Sequence, residues 1–308
     1  MAISGEKARI ARRMFDFEHK EKEQIADEMG VQVGTIERYL REVRSHVQSK
    51  DAKILLFDVE TALMELWAFA IRQQYIQHTQ IKEEWFVLSW AAKWLFNDEI
   101  MSDVVTPEES LAKDDSRILK GIHDLFEEAN IVIAHNANHF DIRKLNYRFI
   151  VHGFFKPSPY AVVDTLRQAQ KHFAASSHKL DHLQRTFGLS KKDPTNLSLW
   201  IACCKGDQDA LDYMAKYNVS DVKALEGLYL FLRPWLTSHP NVAMLMGIKG
   251  NACGKCGSKE LDWSITKYPT PAGRFKAARC MDCGSIIRER FSDITTEERR
   301  NSLVDVAR

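Results

Sequence analysis

The chain has 308 residues, 45% of them hydrophobic and 28% charged, a length and composition that fit about two soluble domains with full cores. With 43 basic against 42 acidic residues the formal net charge is +1, which leaves a nucleic-acid partner open but makes any basic surface local. No apolar run reaches the about 18 residues of a membrane-spanning helix, and the opening "MAISGEKARIARRMF" lacks the apolar centre of a secretory signal, so a cytoplasmic, intracellular protein with no membrane partner is expected.

Residues 1–48 are charged and helical in pattern. In "KEQIADEMGVQVGTIERYLREVR" the apolar positions are Ile25, Ala26, Met29, Val31, Ile36, Tyr39 and Leu40, with the small Ala26 at an inter-helix contact and Gly30 where a tight turn is needed. This spacing predicts a helix-turn-helix whose second helix, about 33–45, presents Thr35, Glu37, Arg38, Arg41 and Arg44. An ordinary helical hairpin packed on a neighbouring domain is the alternative.

Residues 52–237 read as an α/β domain. Apolar runs at 54–57, 66–71 and 85–90 predict three antiparallel strands; a helix over 115–129 leads into a buried strand at 131–135 ("IVIAH"). A helix from about 140, a strand at 161–164 and further helices follow. The pattern predicts a mixed sheet covered by helices. Trp67, Trp85, Trp90 and Trp94 read as core, and Cys203 and Cys204 as packing residues.

Within the first run, "ILLFDVETAL" places Asp58 and Glu60 two positions apart, on one side of a strand. At about 4 Å and an effective dielectric of 20, such a pair repels by roughly 4 kcal/mol. Two more acids stand in telling contexts. Asp141 closes "AHNANHFD" beyond the buried strand, and Asp221 shares a helix face with Tyr217, four residues earlier. The four acids could converge at one edge of the sheet, and a cluster of carboxylates suits hard divalent cations, which take oxygen ligands. His135 and His139 read as hydrogen-bonding supports, and Asp164 as a helix cap.

The last segment carries two cysteine pairs, Cys253 and Cys256 in "CGKCG" and Cys280 and Cys283 in "CMDCG", separated by 23 residues. Four thiolates so spaced, each pair followed by a glycine that allows a tight turn, predict a structural zinc ribbon over 250–290, with strands near 261–267 and 274–280. Lys267, Arg274, Lys276, Arg279, Arg288 and Arg290 would form a basic face on it. A charged tail, 291–308, ends the chain.

"FDVET", "HNANHFD" and "YNVSD" resemble, in order and spacing, the three exonuclease motifs of the DEDD superfamily, and the tyrosine four residues before the last aspartate resembles its tyrosine subgroup (DEDDy). The stretch 53–232 is similar to the proofreading exonuclease domain of family B DNA polymerases, as are "VVDTL" and "SHKLDHLQRTFGL". The resemblance implies an RNase H-like fold and two Mg²⁺ or Mn²⁺ ions held by Asp58, Glu60, Asp141 and Asp221. It implies Asp58 as the bridging ligand and Tyr217 as the residue orienting the attacking water. Thr61, Asn136 and Phe140 are the substrate-binding candidates it suggests. The expectation is therefore a stand-alone 3′-to-5′ exonuclease on DNA, with single-stranded 3′ ends preferred. Proteins of replication or recombination, or a phage or mobile-element setting, would be its surroundings. The alternatives are a 3′-to-5′ exoribonuclease acting on RNA, or a DNA-binding accessory protein using an inactive nuclease fold as a platform; the intact acid set weighs against the last.

Overall fold

In a computed structural model of the chain, residues 7, 10–11, 14–15, 20–37, 52–70, 75–189, 195–264, 267–270 and 273–303 are described. They group into two compact units, Lys53–Tyr229 and a second made from Met1–Ala52 and Leu230–Arg308.

In the second unit, helix α1 (Lys22–Met29) ends at Gly30, whose φ of 62° turns the chain. Residues 33–37 are again helical. Ile25 and Ala26 on the helix, Ile36 after the turn and Ala11 before it form a small buried cluster, with Met29, Val31 and Val33 packed around it. Glu37 ion-pairs with Lys22 at 3.0 Å. The rest of the expected second helix, with Tyr39, Leu40, Arg38, Arg41 and Arg44, lies outside the described residues.

The larger unit opens with strand β1 (Ile54–Thr61), followed by the short pair β2 (Glu65–Leu66) and β3 (Ile81–Glu83), then β4 (Val87–Trp94) and β5 (Met101–Val104). Helices α2 (Pro107–Ala112) and α3 (Ser116–Glu128), strand β6 (Ile131–Ala134), helix α4 (Asp141–Val151), strand β7 (Ala161–Asp164) and helices α5 (Thr165–His172), α6 (Leu180–Thr186), α7 (Leu197–Cys204) and α8 (Gln208–Leu232) follow. The main sheet has the order β5-β4-β1-β6-β7. β1 pairs antiparallel with β4 and parallel with β6. The result is a mixed α/β sheet flanked by helices, an RNase H-like fold, with β1 at its centre.

Alternation along β1 divides its side chains between two faces. On one face Phe57 meets Phe126 of α3 edge-on, with ring centroids 4.9 Å apart, in the main core. The other carries Asp58 and Glu60, whose partners on β4 are Ala91 and Ser89, while Lys93 is opposite Leu56. Ser89 and Lys93 are buried polar residues in a strand, and α8 supplies their partners: Ser89 Oγ donates to Asn218 Oδ1 at 3.2 Å, and Lys93 ion-pairs with Glu226. Glu226 also accepts the Phe96 amide at 2.9 Å. These bonds dock α8 on the face that holds the acid pair.

Several sequence expectations are corrected. The run at 66–71 is no sheet strand: only Glu65–Leu66 pairs, with β3, and residue 71 lies outside the described residues. Apolar composition there has no buried face to fill, since Trp67 is 69% and Phe69 96% exposed, so Trp67 is not core. Conversely, β1 continues through the acid pair to Thr61, and β5 forms from "MSDV", which has no apolar run to announce it.

Beneath the sheet, fully buried Asp115 accepts two bonds from Arg148 (2.8 and 2.7 Å), one from the Val87 amide (2.7 Å), and contacts His152 Nε2 at 2.7 Å. This network ties α4, the start of α3 and the start of β4 together. Replacing Arg148 by methionine leaves the buried carboxylate without its cation and is expected to cost about 3–5 kcal/mol, read as a lower urea midpoint.

Beyond α8, the second unit resumes with α9 (Val242–Leu245), β8 (Leu261–Asp262), β9 (Tyr268–Thr270), β10 (Gly273–Phe275), β11 (Ala277–Cys280), β12 (Ile286–Arg288) and α10 (Thr296–Asn301). The expected strand at 261–267 is shorter, and the one at 274–280 splits in two: β10 pairs with β9, while β11 joins β12 and β8.

Candidate active site and cysteine centre

The arrangement begins with the acid pair on the central strand. Asp58 and Glu60 are half-buried; Asp221, on α8, is 5% exposed. One carboxylate oxygen from each of these three lies within 4.8 Å of the others. Asn218, fully buried one turn before Asp221, donates Nδ2–H to Asp58 Oδ2 at 2.6 Å. Because Ser89 donates to the amide oxygen of Asn218, the amide is held with its N–H₂ towards Asp58. Sequence reasoning did not single out Asn218 and Ser89, which the structure bonds to each other and, through Asn218, to Asp58. A polar residue between Tyr217 and Asp221 was visible in "YNVSD", but its inward orientation depends on how α8 lies on the sheet.

Asp141 opens α4 and is 2% exposed. It is not one of the group of three, yet the backbone N–H of Val59, between Asp58 and Glu60, bonds to it. Burial pushes its pKa up to about 7, against the lowering effect of its own amide and that of Val59, with Asp164 adding repulsion. Its Oδ2 is buried with no hydrogen-bond partner. A buried carboxylate oxygen without a partner is what a cation would satisfy.

The segment leading to Asp141 is fastened by Asp164. One oxygen accepts the amides of Asn136 (3.2 Å), Leu166 (3.1 Å) and Arg167 (3.2 Å), the other that of Asn138 (3.1 Å). Asp164 thus caps α5, as expected, and also clamps the turn in which Asn136 takes a φ of 84°. His135 is spanned between Thr165 Oγ1 (2.9 Å) and the His178 carbonyl (2.8 Å), a support as expected. His139 is exposed. Thr61 is half-buried at the end of β1, where a bulge separates it from Glu60, and Phe140 packs partly on the core. Tyr217 meets the Trp200 ring edge-on, at 6.3 Å between centroids.

The second centre is the cysteine cluster. Cys253, Cys256, Cys280 and Cys283 are buried, none is in a disulfide, and their sulfurs lie within 4.8 Å of one another. Each pair forms the same knuckle. The Gly257 amide donates to the Cys253 carbonyl and the Cys253 amide to the Ser258 carbonyl (2.8 and 2.7 Å). Gly284, Cys280 and Ser285 repeat this at 2.9 and 2.9 Å. Both glycines have positive φ, 79° and 72°, which a side chain would strain. Four convergent soft donors fit a closed tetrahedral zinc site. Of the expected basic face, Lys267 and Arg274 are engaged by Asp293, and Arg274 also by Glu298 at 2.9 Å. Lys276, Arg279, Arg288 and Arg290 remain exposed. A third group, Asp114, Asp115 and His152, is the structural network around Arg148, whose guanidinium occupies the place a cation would take.

Among known proteins, a family model of the RNase H superfamily matches residues 95–233, a span that includes Asp141, Tyr217 and Asp221 and begins after the acid pair of β1. Among solved structures, the chain is similar to a family B DNA polymerase from the hyperthermophilic archaeon Pyrobaculum calidifontis, with 18% identity and a TM-score of 0.44 over 59% of this chain. It spans a quarter, 25%, of that polymerase's length. No curated protein matches it.

Two outcomes follow from these centres. Because burial holds the proton on Asp141 up to about pH 7, a cation binding there would release it. Mn²⁺ affinity, measured by calorimetry, should rise with pH by up to about tenfold per unit below 7 and level off above it, more steeply than in Asp141→Asn. In the metal-free protein the sign is opposite for stability: the raised pKa contributes fully below about pH 4, and that contribution is lost as pH rises through 7. For the cysteine centre, elemental analysis should find roughly one zinc per chain, lost together with thermal stability in Cys256→Ala.

Proposed function

We propose that the protein is a metal-dependent 3′-to-5′ exonuclease that hydrolyses DNA, with single-stranded 3′ ends as its substrate. The observation that carries this reading is the meeting of Asp58, Glu60 and Asp221 oxygens within 4.8 Å; the buried, unsatisfied Oδ2 of Asp141 supports it. Such a set of hard, charged donors suits two Mg²⁺ or Mn²⁺ ions, which when bound offset the carboxylates' repulsion and polarise the phosphodiester.

The chain's own groups divide the remaining work. Asp58, oriented by Asn218, together with Glu60, Asp221 and Asp141 would hold the ions. Tyr217, one turn before Asp221, positions the attacking water through its hydroxyl. Thr61, at the bulge, and Asn136 and Phe140, in the clamped turn, line the approach of the terminal nucleotide. The motifs that resemble the DEDDy exonucleases support the 3′-to-5′ direction.

In this organisation residues 52–237 are the nuclease, 1–48 a helix-turn-helix and 250–290 a zinc ribbon that help hold nucleic acid. The exposed Lys276, Arg279, Arg288 and Arg290 supply a modest cationic surface for that purpose.

The test uses purified protein with Mg²⁺ or Mn²⁺ on 5′-labelled single-stranded DNA, duplex DNA and RNA of matched sequence. A ladder shortening from the 3′ end on single-stranded DNA, reduced at least about 10³-fold in Asp58→Ala, is the expected result. Cleavage of RNA alone would reassign the substrate, and binding without cleavage of any substrate would overturn the enzyme.

A further inference from the structure

Lys144 lies three residues beyond Asp141 on the first turn of α4, so both side chains leave the same side of that helix. Its ammonium stands 3.5 Å from the centroid of the Trp85 ring and 5.6 Å from that of Phe140. Tyr147, the next residue along that side, packs on the Trp85 ring with centroids 5.4 Å apart. The lysine is half-buried, and burial lowers its pKa, with Glu84 opposing the shift. Among the described residues no carboxylate forms an ion pair with it.

Backbone bonds fix this cluster to the acid-bearing segments on both sides. Phe140 precedes Asp141, and its carbonyl accepts the Lys144 amide at 2.9 Å. Trp85 precedes Phe86, whose carbonyl accepts the amide of Ala62, two residues past Glu60, at 2.8 Å. The seat is therefore tied through the backbone to the segments that carry Asp141 and Glu60.

A partly desolvated ammonium held over aromatic faces recovers only part of its lost hydration from the rings. What completes it is an anion, and the anion that repeats along a strand entering a carboxylate-lined site is phosphate. Its four-carbon stem packed on rings also leaves little rotamer freedom to lose on binding.

We propose that Lys144 binds a backbone phosphate of the single-stranded DNA whose 3′ end reaches the carboxylates, with Trp85 and Phe140 holding the ammonium in place. This rests on the nuclease reading above for the position of the strand. It makes Lys144 a positioning residue, acting on substrate affinity rather than on the chemical step. The competing role is purely structural: the stem merely packs Trp85 against α4.

The experiment measures binding of fluorescent oligothymidylate to the full-length protein without added divalent cation, across a KCl series. For single strands, log K falls with log[salt] by about 0.7 per phosphate neutralised, so K144M should lose about 0.7 of slope while K144R keeps it. In Mg²⁺, K144M should raise KM several-fold with kcat within about twofold. A K144M protein of wild-type melting temperature with wild-type slope and KM overturns the proposal. Should K144M melt early, K144Q, which keeps most of the stem, decides by the same slope. A Lys144-dependent slope in a protein that cleaves nothing sinks the nuclease reading and leaves the phosphate seat standing. Robust cleavage with no effect of K144M or K144Q does the reverse.

Discussion

The repulsion between Asp58 and Glu60 is the constraint around which the larger unit is organised. Two carboxylates on one side of a central strand cannot be relieved by splaying apart, because β1 is pinned by β4 on one edge and β6 on the other. The opposite face of the same strand is sealed into the apolar core through Phe57 and Val59. The acids must therefore be accommodated where they are. The structure does so with a polar layer beneath α8, in which buried Ser89 is bonded to buried Asn218, itself bonded to Asp58, and buried Lys93 ion-pairs with the partly buried Glu226.

That layer explains why buried polar residues appear in a strand as central as β4. Each would cost stability alone; paired with α8 they specify how the helix lies and where Asp221 arrives. Asp164 does comparable work on the other side of β1, since its two oxygens gather four backbone amides and so fix the turn that delivers Asp141. The cysteine centre follows a different logic. Its small strands bury little apolar surface of their own, so four convergent sulfurs substitute for a core, as they do in small metal-bound folds.

Much of this was legible in the sequence because it follows from period and spacing. The same-face placement of Asp58 and Glu60 needs only strand alternation, and the pairing of Tyr217 with Asp221 needs only a helical repeat. The two cysteine pairs and their glycines needed only distances along the chain. What escaped depended on partners remote in sequence. Ser89 and Asn218 are 129 positions apart, and neither carries a local signal of the bond between them. The run from Leu66 forms no sheet strand because apolar content does not itself supply a neighbouring strand to cover it. The cationic pattern of Lys267 and Arg274 carries no sign of Asp293 and Glu298, which the tail brings beside them.

Helix α8 deserves a mechanical reading. Tyr217, Asn218 and Asp221 sit on one rigid element, and the Lys93–Glu226 pair anchors it to β4 one turn further on. The three groups therefore share one set of coordinates. A tilt or slide of the helix displaces all of them together by related amounts, rather than each at random. Positional error at the carboxylate cluster is thus correlated, with few independent degrees of freedom. The contacts that dock the helix on β4, Ser89–Asn218 and Lys93–Glu226, set the tolerance of the whole assembly.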